Sequence, residues 1–371
     1  MITVSEIISK EPKYRQDQLY KAMFNPAITG YEEISTFPLE LRQKLKEYPW
    51  LAVKLKNIQK SKADNTEKAL LELADGLCVE TVLMARPVRG DISNASNGAR
   101  DSKKARQNFA EQNLGGREDA ESRRTICISS QVGCAMGCIF CATGQQGFQR
   151  NLTAEEIIDQ FRFWQNRLAK EGGETIGNIV IMGQGEPLLN YENVKKALNI
   201  ILKNTDIGQS KITLSTVGEK VMMGKLLRDK EFPAVRIAIS LHSAIEATRK
   251  KIIPSTQIGF INFLVKWSEE YHKTLGSRSH FLSLEYTLLK NVNDSDEHLK
   301  ALISLARKLG RVKINLIPLN DISGGRAGSP AATLKSWHDA IMKAGLTCTI
   351  RHSQGADIAA ACGQLSGAPL L

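Results

Sequence analysis

The sequence lacks any long apolar run. No segment approaches the roughly 20 consecutive apolar residues that a membrane-spanning helix needs, although hydrophobic residues make up 42% of the 371 residues. The first residues, MITVSEIISKEPKYRQ, mix acidic and basic side chains and lack the apolar core and small-residue cleavage site of a secretory signal. We therefore expect a globular, cytoplasmic protein with no membrane partner.

Cysteine is scarce and its number is odd, which argues against a disulfide framework. The chain has seven cysteines, and three of them, Cys134, Cys138 and Cys141, lie within one short stretch. In a cytoplasmic chain this crowding indicates metal or redox chemistry. Acidic residues are outnumbered as well: 39 Asp and Glu stand against 50 Lys and Arg, a net charge of +11. The excess positive charge favours a polyanionic partner such as nucleic acid, although many basic proteins bind none.

The order of predicted elements divides the chain into regions. Residues 1–55 predict a small helical domain, because YRQDQLYKAMF and FPLELRQKLKEY carry apolar residues at helical spacing. Residues 56–85 predict a short antiparallel β extension, with hairpin turns at Asp64-Asn65 and Asp75-Gly76. Residues 86–124 hold few large apolar side chains and cannot form a core, so they are either a loop that contacts RNA or a polar linker.

Residues 125–371 alternate strand-like and helix-like segments. The strand-like segments are ICISS, GNIVIMG, KITLST, VRIAISL, FLSLEYTLL, RVKINLIPL and LTCTIR, and helical segments such as TAEEIIDQFRFWQNRLAK separate most of them. This alternation predicts an α/β fold with a parallel sheet, closed or partly closed into a barrel. In such folds the chemistry takes place at the carboxyl ends of the strands.

The strongest motif is CAMGCIFC, a C-x3-C-x2-C run directly after the strand-like ICISS. Three thiolates on a short loop can hold three irons of a cubane iron–sulfur cluster and leave the fourth iron open to a substrate. A zinc site completed by a distant His or Cys is the alternative, since structural zinc takes four protein ligands. The aromatic Phe140 between the last two cysteines is similar to the pattern of radical S-adenosylmethionine enzymes.

Small polar residues follow the later strands. In MGQGEP, glycine lets the backbone approach a ligand closely, and Glu186 can accept hydrogen bonds from an ammonium group. Taken singly, each of the other residues is more often a cap or a turn residue. They are Ser215, Ser240, His242 and Asn320.

Together these motifs make the sequence resemble the bacterial dual-specificity 23S rRNA and tRNA adenine-C2 methyltransferases of the radical S-adenosylmethionine superfamily. The resemblance rests on CISSQVGCAMGCIFCATG, GFQRNLT, GQGEP, SLH, NLIPLN and DIAAACGQL, and covers nearly the whole chain. GFQRNL favours this family over a related one that methylates C8 of the same rRNA adenine, which stays an alternative. The polar stretch 86–124 is longer than the short link expected there.

The resemblance implies a partial (β/α)6 radical S-adenosylmethionine barrel and an enzyme that methylates C2 of an adenine. The implied substrates are the peptidyl-transferase loop of 23S rRNA and the position next to the anticodon of tRNA. A 4Fe-4S cluster on Cys134, Cys138 and Cys141, two S-adenosylmethionine molecules per turnover, an electron donor such as flavodoxin or ferredoxin, and a monomeric state are expected with it. The implied cofactor-binding residues are Gly185, Glu186, Ser215, Ser240, Leu241, His242 and Asn320.

Two further cysteines and a glutamate acquire roles from the same resemblance. Cys362, in AACGQL, resembles the cysteine that is itself methylated and then bonded to the RNA, and Cys127 resembles the partner that releases the product by forming a disulfide with it. Glu80, in CVETVLM, matches the proposed proton acceptor, although by position alone it is an ordinary strand residue. An inert packed thiol is the alternative for a cytoplasmic cysteine, and we expect it for Cys78 and Cys348.

The alternative from another functional class is a non-catalytic RNA-binding protein stabilised by zinc. It accounts for the positive charge and for Cys134, Cys138 and Cys141. It leaves GQGEP, Cys127 and Cys362 without a role.

Overall fold

The structure is a computed structural model that describes residues 4–84, 123–172, 174–276, 281–320 and 327–367. Most of the polar stretch 86–124 lies outside the described residues, so both interpretations of it stay predictions. Arg123 and Arg124, at its end, already belong to a strand.

Short helices form the N-terminal region: α1 (Val4–Ser9), α2 (Lys13–Met23) and α3 (Leu39–Leu45). Pro12 and Pro38 stand immediately before α2 and α3. Each helix begins after its proline because proline disfavours the helical conformation in the residue that precedes it. The helices predicted from YRQDQLYKAMF and FPLELRQKLKEY are confirmed.

The main sheet begins with strands that pair antiparallel: β1 (Val53–Lys60), β2 (Glu67–Leu73) and β3 (Cys78–Met84). β3 then pairs antiparallel with β4 (Arg123–Cys127), with Val82 opposite Cys127. The antiparallel extension expected from the sequence is therefore continuous with the rest of the sheet. The boundary expected between residues 55 and 56 falls inside β1.

A hairpin apart from the main sheet follows β4. It consists of β5 (Gln131–Gly133) and β6 (Phe148–Asn151), and the cysteine run and the short helix α4 (Ala142–Gln145) lie between its strands. The main sheet then continues with strands that are parallel to β4 and follow one another in chain order. These are β7 (Thr175–Ile181), β8 (Ile212–Thr216), β9 (Arg236–Ser240), β10 (Leu282–Leu288), β11 (Val312–Pro318) and β12 (Thr347–Ile350).

Helices connect these parallel strands. They are α5 (Ala154–Glu171), α6 (Tyr191–Asn204), α7 (Lys220–Arg228), α8 (Glu246–Ile252), α9 (Phe260–Thr274), α10 (Asp296–Lys308) and α11 (Ala331–Lys343). In the described part of the chain, every parallel strand from β4 to β11 is followed by helix, and β12 ends the sheet. The expected partial barrel of strand–helix units is confirmed. None of the described helices combines the length and the apolar character needed to cross a membrane.

Helix α5 attaches the N-terminal region to the barrel. Thr153 and Glu156 form a reciprocal capping box at its start, which satisfies two free backbone donors. Arg162, fully buried on α5, donates to the carbonyls of Met23 and Trp50 at 2.9 Å each and pairs with Asp159 at 2.5 Å. A buried guanidinium needs such partners, so these contacts bind the N-terminal region to helix α5.

Candidate active site

The loop of Cys134, Cys138 and Cys141 lies at the carboxyl end of the parallel strands. Its backbone is bonded at its start and near its middle: Cys134 N–H donates to the Gly147 carbonyl at 2.9 Å, and Ile139 N–H donates to the Ile252 carbonyl at 3.0 Å. All three cysteine side chains line one cavity. The sequence prediction that they act together is consistent with this placement.

Burial makes these thiols poor thiolates by themselves. Burial raises the pKa of Cys134 to about 12 and raises that of Cys141. The pKa of Cys138 is raised well above its usual value by burial and then by the charges of Cys141 and Cys134. A bound cation reverses this preference, because metal binding requires and stabilises the deprotonated thiol.

The donor set fits a three-cysteine cluster better than a zinc ion. In the described ranges, no group of three or more His, Cys, Asp or Glu side chains converges closely enough to hold a single metal ion. Structural zinc needs four such ligands at one point, whereas a cubane holds its cysteine ligands farther apart, one at each of three iron atoms. The residues present are therefore compatible with a cluster that has one open iron.

The GQGEP loop after β7 packs against the loop after β4. A Cβ at Gly183 would lie 2.6 Å from Ser129 Oγ, and one at Gly185 would lie 2.5 Å from the Cβ of Gln131, so only glycine fits either position. Gly185 also has a φ of +102°, which favours glycine. Gly183 and Gly185 line the cavity beside the cysteines.

Glu186 presents a buried carboxylate to the same cavity. Its oxygens accept from Thr216 Oγ1 at 2.7 Å, Val217 N–H at 2.8 Å and Leu188 N–H at 3.0 Å. Burial raises its pKa, and the hydrogen bonds to the carboxylate oppose that rise. A carboxylate has about four acceptor positions, so Glu186 keeps capacity for a ligand donor such as an ammonium group.

The remaining predicted rim residues divide into two groups. Ser215 and Ser240 line the cavity with their hydroxyl oxygens 3.0 Å apart, and Asn320 lines it as well. Leu241 does not: its side chain is fully buried outside the cavity lining, and its N–H donates to the Glu285 carbonyl at 3.0 Å. Any contact of Leu241 with a cofactor would have to involve its backbone.

His242 connects the cysteine loop to the end of β9. Its ring lies 4.5 Å from that of Phe140, between centroids, and its Nδ1 accepts from Thr287 N–H at 3.0 Å. Burial, and next the charge of Arg249, lowers the pKa of His242 to about 3. The imidazole is therefore neutral, and because Nδ1 accepts, its proton is on Nε2. His242 is among the residues that line the cavity.

Cys127 and Cys362 line a second cavity that shares Cys141, Asn320 and Cys362 with the first. Cys127 is the last residue of β4 and is buried, whereas Cys362 is exposed. Burial, and next the charge of Cys362, raises the pKa of Cys127 to about 12. All seven cysteines are among the described residues and all are free thiols. The two predicted relay cysteines thus meet at one cavity without a disulfide between them.

The segment that carries Cys362 is bonded to the rim. Asn320 Nδ2 donates to the Cys362 carbonyl at 3.0 Å, and Ala142 N–H donates to the Gly363 carbonyl at 2.7 Å. Thr143 Oγ1 donates to the Leu365 carbonyl at 2.6 Å. These bonds join the cysteine loop, the end of β11 and the C-terminal segment.

Glu80 lies apart from both cavities. It is 2% exposed and its carboxylate pairs with Lys68 Nζ at 2.8 Å. Its other oxygen accepts from Ser366 N–H at 2.6 Å and Gly367 N–H at 3.0 Å. These contacts do not include the cavity lining, so the expected role as proton acceptor receives no support from its position and stays a prediction.

Sequence reasoning missed Arg351 and Glu285. Both line the first cavity, and Arg351 also lines the second; Arg351 Nη1 lies 3.3 Å from Glu285 Oε2. Arg351 directly follows β12, and Glu285 lies within β10. The sequence could have indicated Arg351, because the strand-like segment LTCTIR ends on this arginine. It could not have indicated Glu285, because that residue is flanked by apolar residues of a buried strand.

The two cysteines expected to be inert differ in burial. Cys348 is buried on β12, as expected. Cys78 begins β3 and is only half-buried, with its sulfur 3.9 Å from Lys56 Nζ. Neither lines either of the two cavities.

Comparisons with known proteins identify relatives of this chain. The family model described as the radical SAM superfamily matches residues 128–303. A ribosomal RNA large subunit methyltransferase N of Nitrosopumilus maritimus (strain SCM1) is 34% identical over 95% of this chain and 92% of its own length. A "Probable dual-specificity RNA methyltransferase RlmN" of Moorella thermoacetica is 38% identical over 96% of this chain and 91% of its own length. The crystal structure of a radical SAM methyltransferase from Sphaerobacter thermophilus superimposes with a TM-score of 0.79 at 30% identity, covering 99% of this chain and 98% of the other.

Proposed function

The chain belongs to the radical SAM superfamily and, within it, to the RlmN-type RNA methyltransferases, and from this membership we propose that it methylates C2 of an adenine in RNA. The proposed substrates are the peptidyl-transferase loop of 23S rRNA and the position next to the anticodon of tRNA. The names of the relatives, "Ribosomal RNA large subunit" and "dual-specificity RNA methyltransferase", support an RNA substrate and ribosomal RNA in particular; tRNA and the two positions come from the resemblance of the motifs. The net charge of +11 supports a polyanionic substrate. Because the chain belongs to an enzyme family, we reject the alternative of a non-catalytic RNA-binding protein stabilised by zinc.

The chemistry of the target carbon accounts for the cavity's contents. Adenine C2 is electrophilic and does not attack a sulfonium methyl group, so the methyl group has to arrive by a radical route. A 4Fe-4S cluster on Cys134, Cys138 and Cys141 would supply the electron that cleaves S-adenosylmethionine and starts that route. Glu186 would accept from the ammonium group of the cofactor, and Ser215, Ser240 and Asn320 would bind its other polar atoms.

Cys362 would carry the methyl group between cofactor and base. Its thiolate would attack the methyl carbon of a first S-adenosylmethionine, so that the carbon–sulfur bond of the sulfonium breaks and S-adenosylhomocysteine leaves. Cleavage of a second S-adenosylmethionine would remove a hydrogen atom from the S-methyl group as 5′-deoxyadenosine, which accounts for two cofactor molecules per turnover. The resulting carbon radical would add to C2, so that Cys362 becomes bonded to the RNA through a methylene group. The adduct would then lose one electron, which the oxidised cluster would accept, and the proton on C2. Cys362 is exposed and lines both cavities, which supports this role.

Cys127 would release the product. Its thiolate attacks the Cys362 sulfur, the carbon–sulfur bond breaks with its electron pair on carbon, and that carbon takes a proton to become the methyl group. The product is a Cys127–Cys362 disulfide, which a cellular dithiol then reduces. The observation that carries this proposal is that Cys127 and Cys362 line one cavity directly beside the cysteine loop.

The electron donor, the location, the oligomeric state and the role of Glu80 also belong to the proposal. The electron donor would be a flavodoxin or a ferredoxin, and the enzyme would act in the cytoplasm as a monomer. Glu80 stays only a predicted proton acceptor, because its carboxylate lies outside both cavities.

Labelled cofactor tests the proposed reaction. We expect the anaerobically reconstituted protein, a reductant, methyl-deuterated S-adenosylmethionine and a 23S rRNA fragment or tRNA to yield labelled 2-methyladenosine on mass spectrometry of the digested RNA. Cys362→Ala should abolish it, whereas Cys348→Ala, outside both cavities, should not. Labelled 8-methyladenosine would overturn the position of methylation, and the absence of any methyladenosine would overturn the reaction. A colourless protein loaded with zinc would overturn the cluster.

A further inference from the structure

A buried ion pair outside both cavities lies between β2 and β3. Lys68 Nζ and Glu80 Oε1 are 2.8 Å apart, and the two side chains are 4% and 2% exposed. Removing two charges from water costs more than such a pair commonly returns, and an apolar pair of similar volume often stabilises a fold as well or better. Stability alone therefore gives a weak account of this pair.

Both partners reach beyond the pair to the same stretch of chain. Lys68 Nζ donates to the Ala359 carbonyl at 3.1 Å. Glu80 Oε2 accepts from Ser366 N–H at 2.6 Å and Gly367 N–H at 3.0 Å. Residues 359–367, which we call the relay segment, are thus held at both ends by one ion pair, with Cys362 between the two attachment points.

The relay segment depends on such attachments because it has no helix or strand of its own. Its backbone includes Ala359 at φ +49° and Gly367 at φ +63°, conformations that do not propagate as regular structure. Without a hydrogen-bonded ladder, the position of its backbone is set by bonds to other elements. An apolar pair at positions 68 and 80 could supply none of these bonds.

We propose that the Lys68–Glu80 pair is a clamp that fixes both ends of the relay segment and so positions the Cys362 sulfur at the opening between the two cavities. Lys68 and Glu80 are then positioning residues that act through the backbone of residues 359, 366 and 367. This inference rests on the proposed role of Cys362. It is separate from the predicted role of Glu80 as proton acceptor.

The test removes both charges together, so that neither is left buried and unpaired. We expect Lys68→Met/Glu80→Leu to keep its iron and its reductive cleavage of S-adenosylmethionine. Hydrogen exchange of the Ser366 and Gly367 amides should rise about tenfold or more, because both amides donate to Glu80. Methylation of Cys362 itself should fall about tenfold or more, because a sulfur displaced by about 1 Å reacts poorly. The matched control is Lys56→Met/Glu72→Leu, an exposed pair in the same sheet whose ions are 3.1 Å apart.

Each outcome has a defined meaning. Unchanged exchange in the relay segment would overturn the clamp, and increased exchange with full methylation would overturn the positioning of Cys362. A double variant that loses RNA methylation but keeps full methylation of Cys362 would show that Glu80 acts on the base alone, which also overturns the proposal. Should the double variant fail to fold, the unchanged protein decides: the Ser366 and Gly367 amides must exchange slowly, and exchange at the rate of an unstructured peptide would overturn the clamp. An active Cys362→Ala variant would instead refute the proposed function, which the exchange measurement does not test.

Discussion

The site contains two sets of cysteines, which the fold brings together in opposite ways. Cys134, Cys138 and Cys141 lie on one loop between β5 and α4, and backbone bonds to Gly147 and Ile252 hold that loop in place. The other two thiols come from distant parts of the chain, and only the folded sheet brings them to one cavity. We infer that damage to the loop removes all chemistry, whereas damage to the second group interrupts it at separate steps.

The largest effect is expected from the loop. Cys138→Ser should lose its iron and with it both cofactor cleavage and RNA methylation, because a cubane held by the two remaining thiolates is labile. Iron content, visible absorbance and 5′-deoxyadenosine formation measure the loss. Methylation by an iron-free variant would contradict the radical route and the proposed difference between the cysteine loop and the other two cysteines.

Removing Cys362 and removing Cys127 should stop the reaction at two different steps, which sharpens the contrast with the cysteine loop. Cys362→Ala should accept no methyl group, so neither labelled protein nor labelled RNA forms. Cys127→Ala should still be methylated on Cys362 and should stay bonded to the RNA, since no thiol remains to release it. A nuclease-sensitive slow band on a denaturing gel is the measurement. Turnover of Cys127→Ala at the parent rate, without that band, would make Cys127 a packed core thiol.

The release step should depend steeply on pH. In the free enzyme burial, and next the charge of Cys362, raises the pKa of Cys127 to about 12, while Arg351 lowers it. In the protein–RNA adduct Cys362 carries no charge, but the burial that raises the pKa of Cys127 remains. Release needs the thiolate of Cys127. At pH values below that pKa, the thiolate fraction rises about tenfold for each unit by which the pH increases. Decay of the protein–RNA bond should therefore accelerate as pH rises. Single-turnover gels across a pH series measure it.

Arg351 provides a smaller effect on the same step. Arg351→Gln should slow release about threefold at a given pH, because it removes the cation that favours the thiolate, while Arg351→Lys keeps the charge and should retain most of the rate. A release rate that is independent of pH in all three proteins would show that thiolate formation does not limit the step.

The smallest effect is expected at a cysteine outside both groups. Cys78→Ser should leave iron, cofactor cleavage and methylation unchanged and should shift the free energy of unfolding by no more than about 0.5 kcal/mol, since Cys78 is half-buried and outside both cavities. Thermal unfolding and the methylation assay check this. A strong loss of methylation would mean that Cys78 also contributes to the reaction and that the two sets of cysteines are not the full set.

Local sequence was sufficient for the strand–helix order and for the cysteine loop. Period and turn residues act over short distances, so segments such as KITLST and the hairpin at Asp75-Gly76 were recognisable, and Cys134 to Cys141 fall on one loop whatever the rest of the chain does. The short helices α7 and α8 were not predicted, because nine and seven residues hold too few apolar repeats. The pairing of β3 with β4 was also missed, since it joins strands on either side of residues 85–122.

The sequence by itself determined the fold class, the three adjacent thiols and the glycines of GQGEP, because spacing along the chain sets each of them. The tertiary structure decided what distant residues do to one another. It brought Cys127 to Cys362, placed Arg351 and Glu285 in the cavity, and turned Glu80 toward Lys68 and the relay segment. The physical reason is that burial, hydrogen bonding and charge act through space, so residues far apart in sequence become partners only after the sheet has formed.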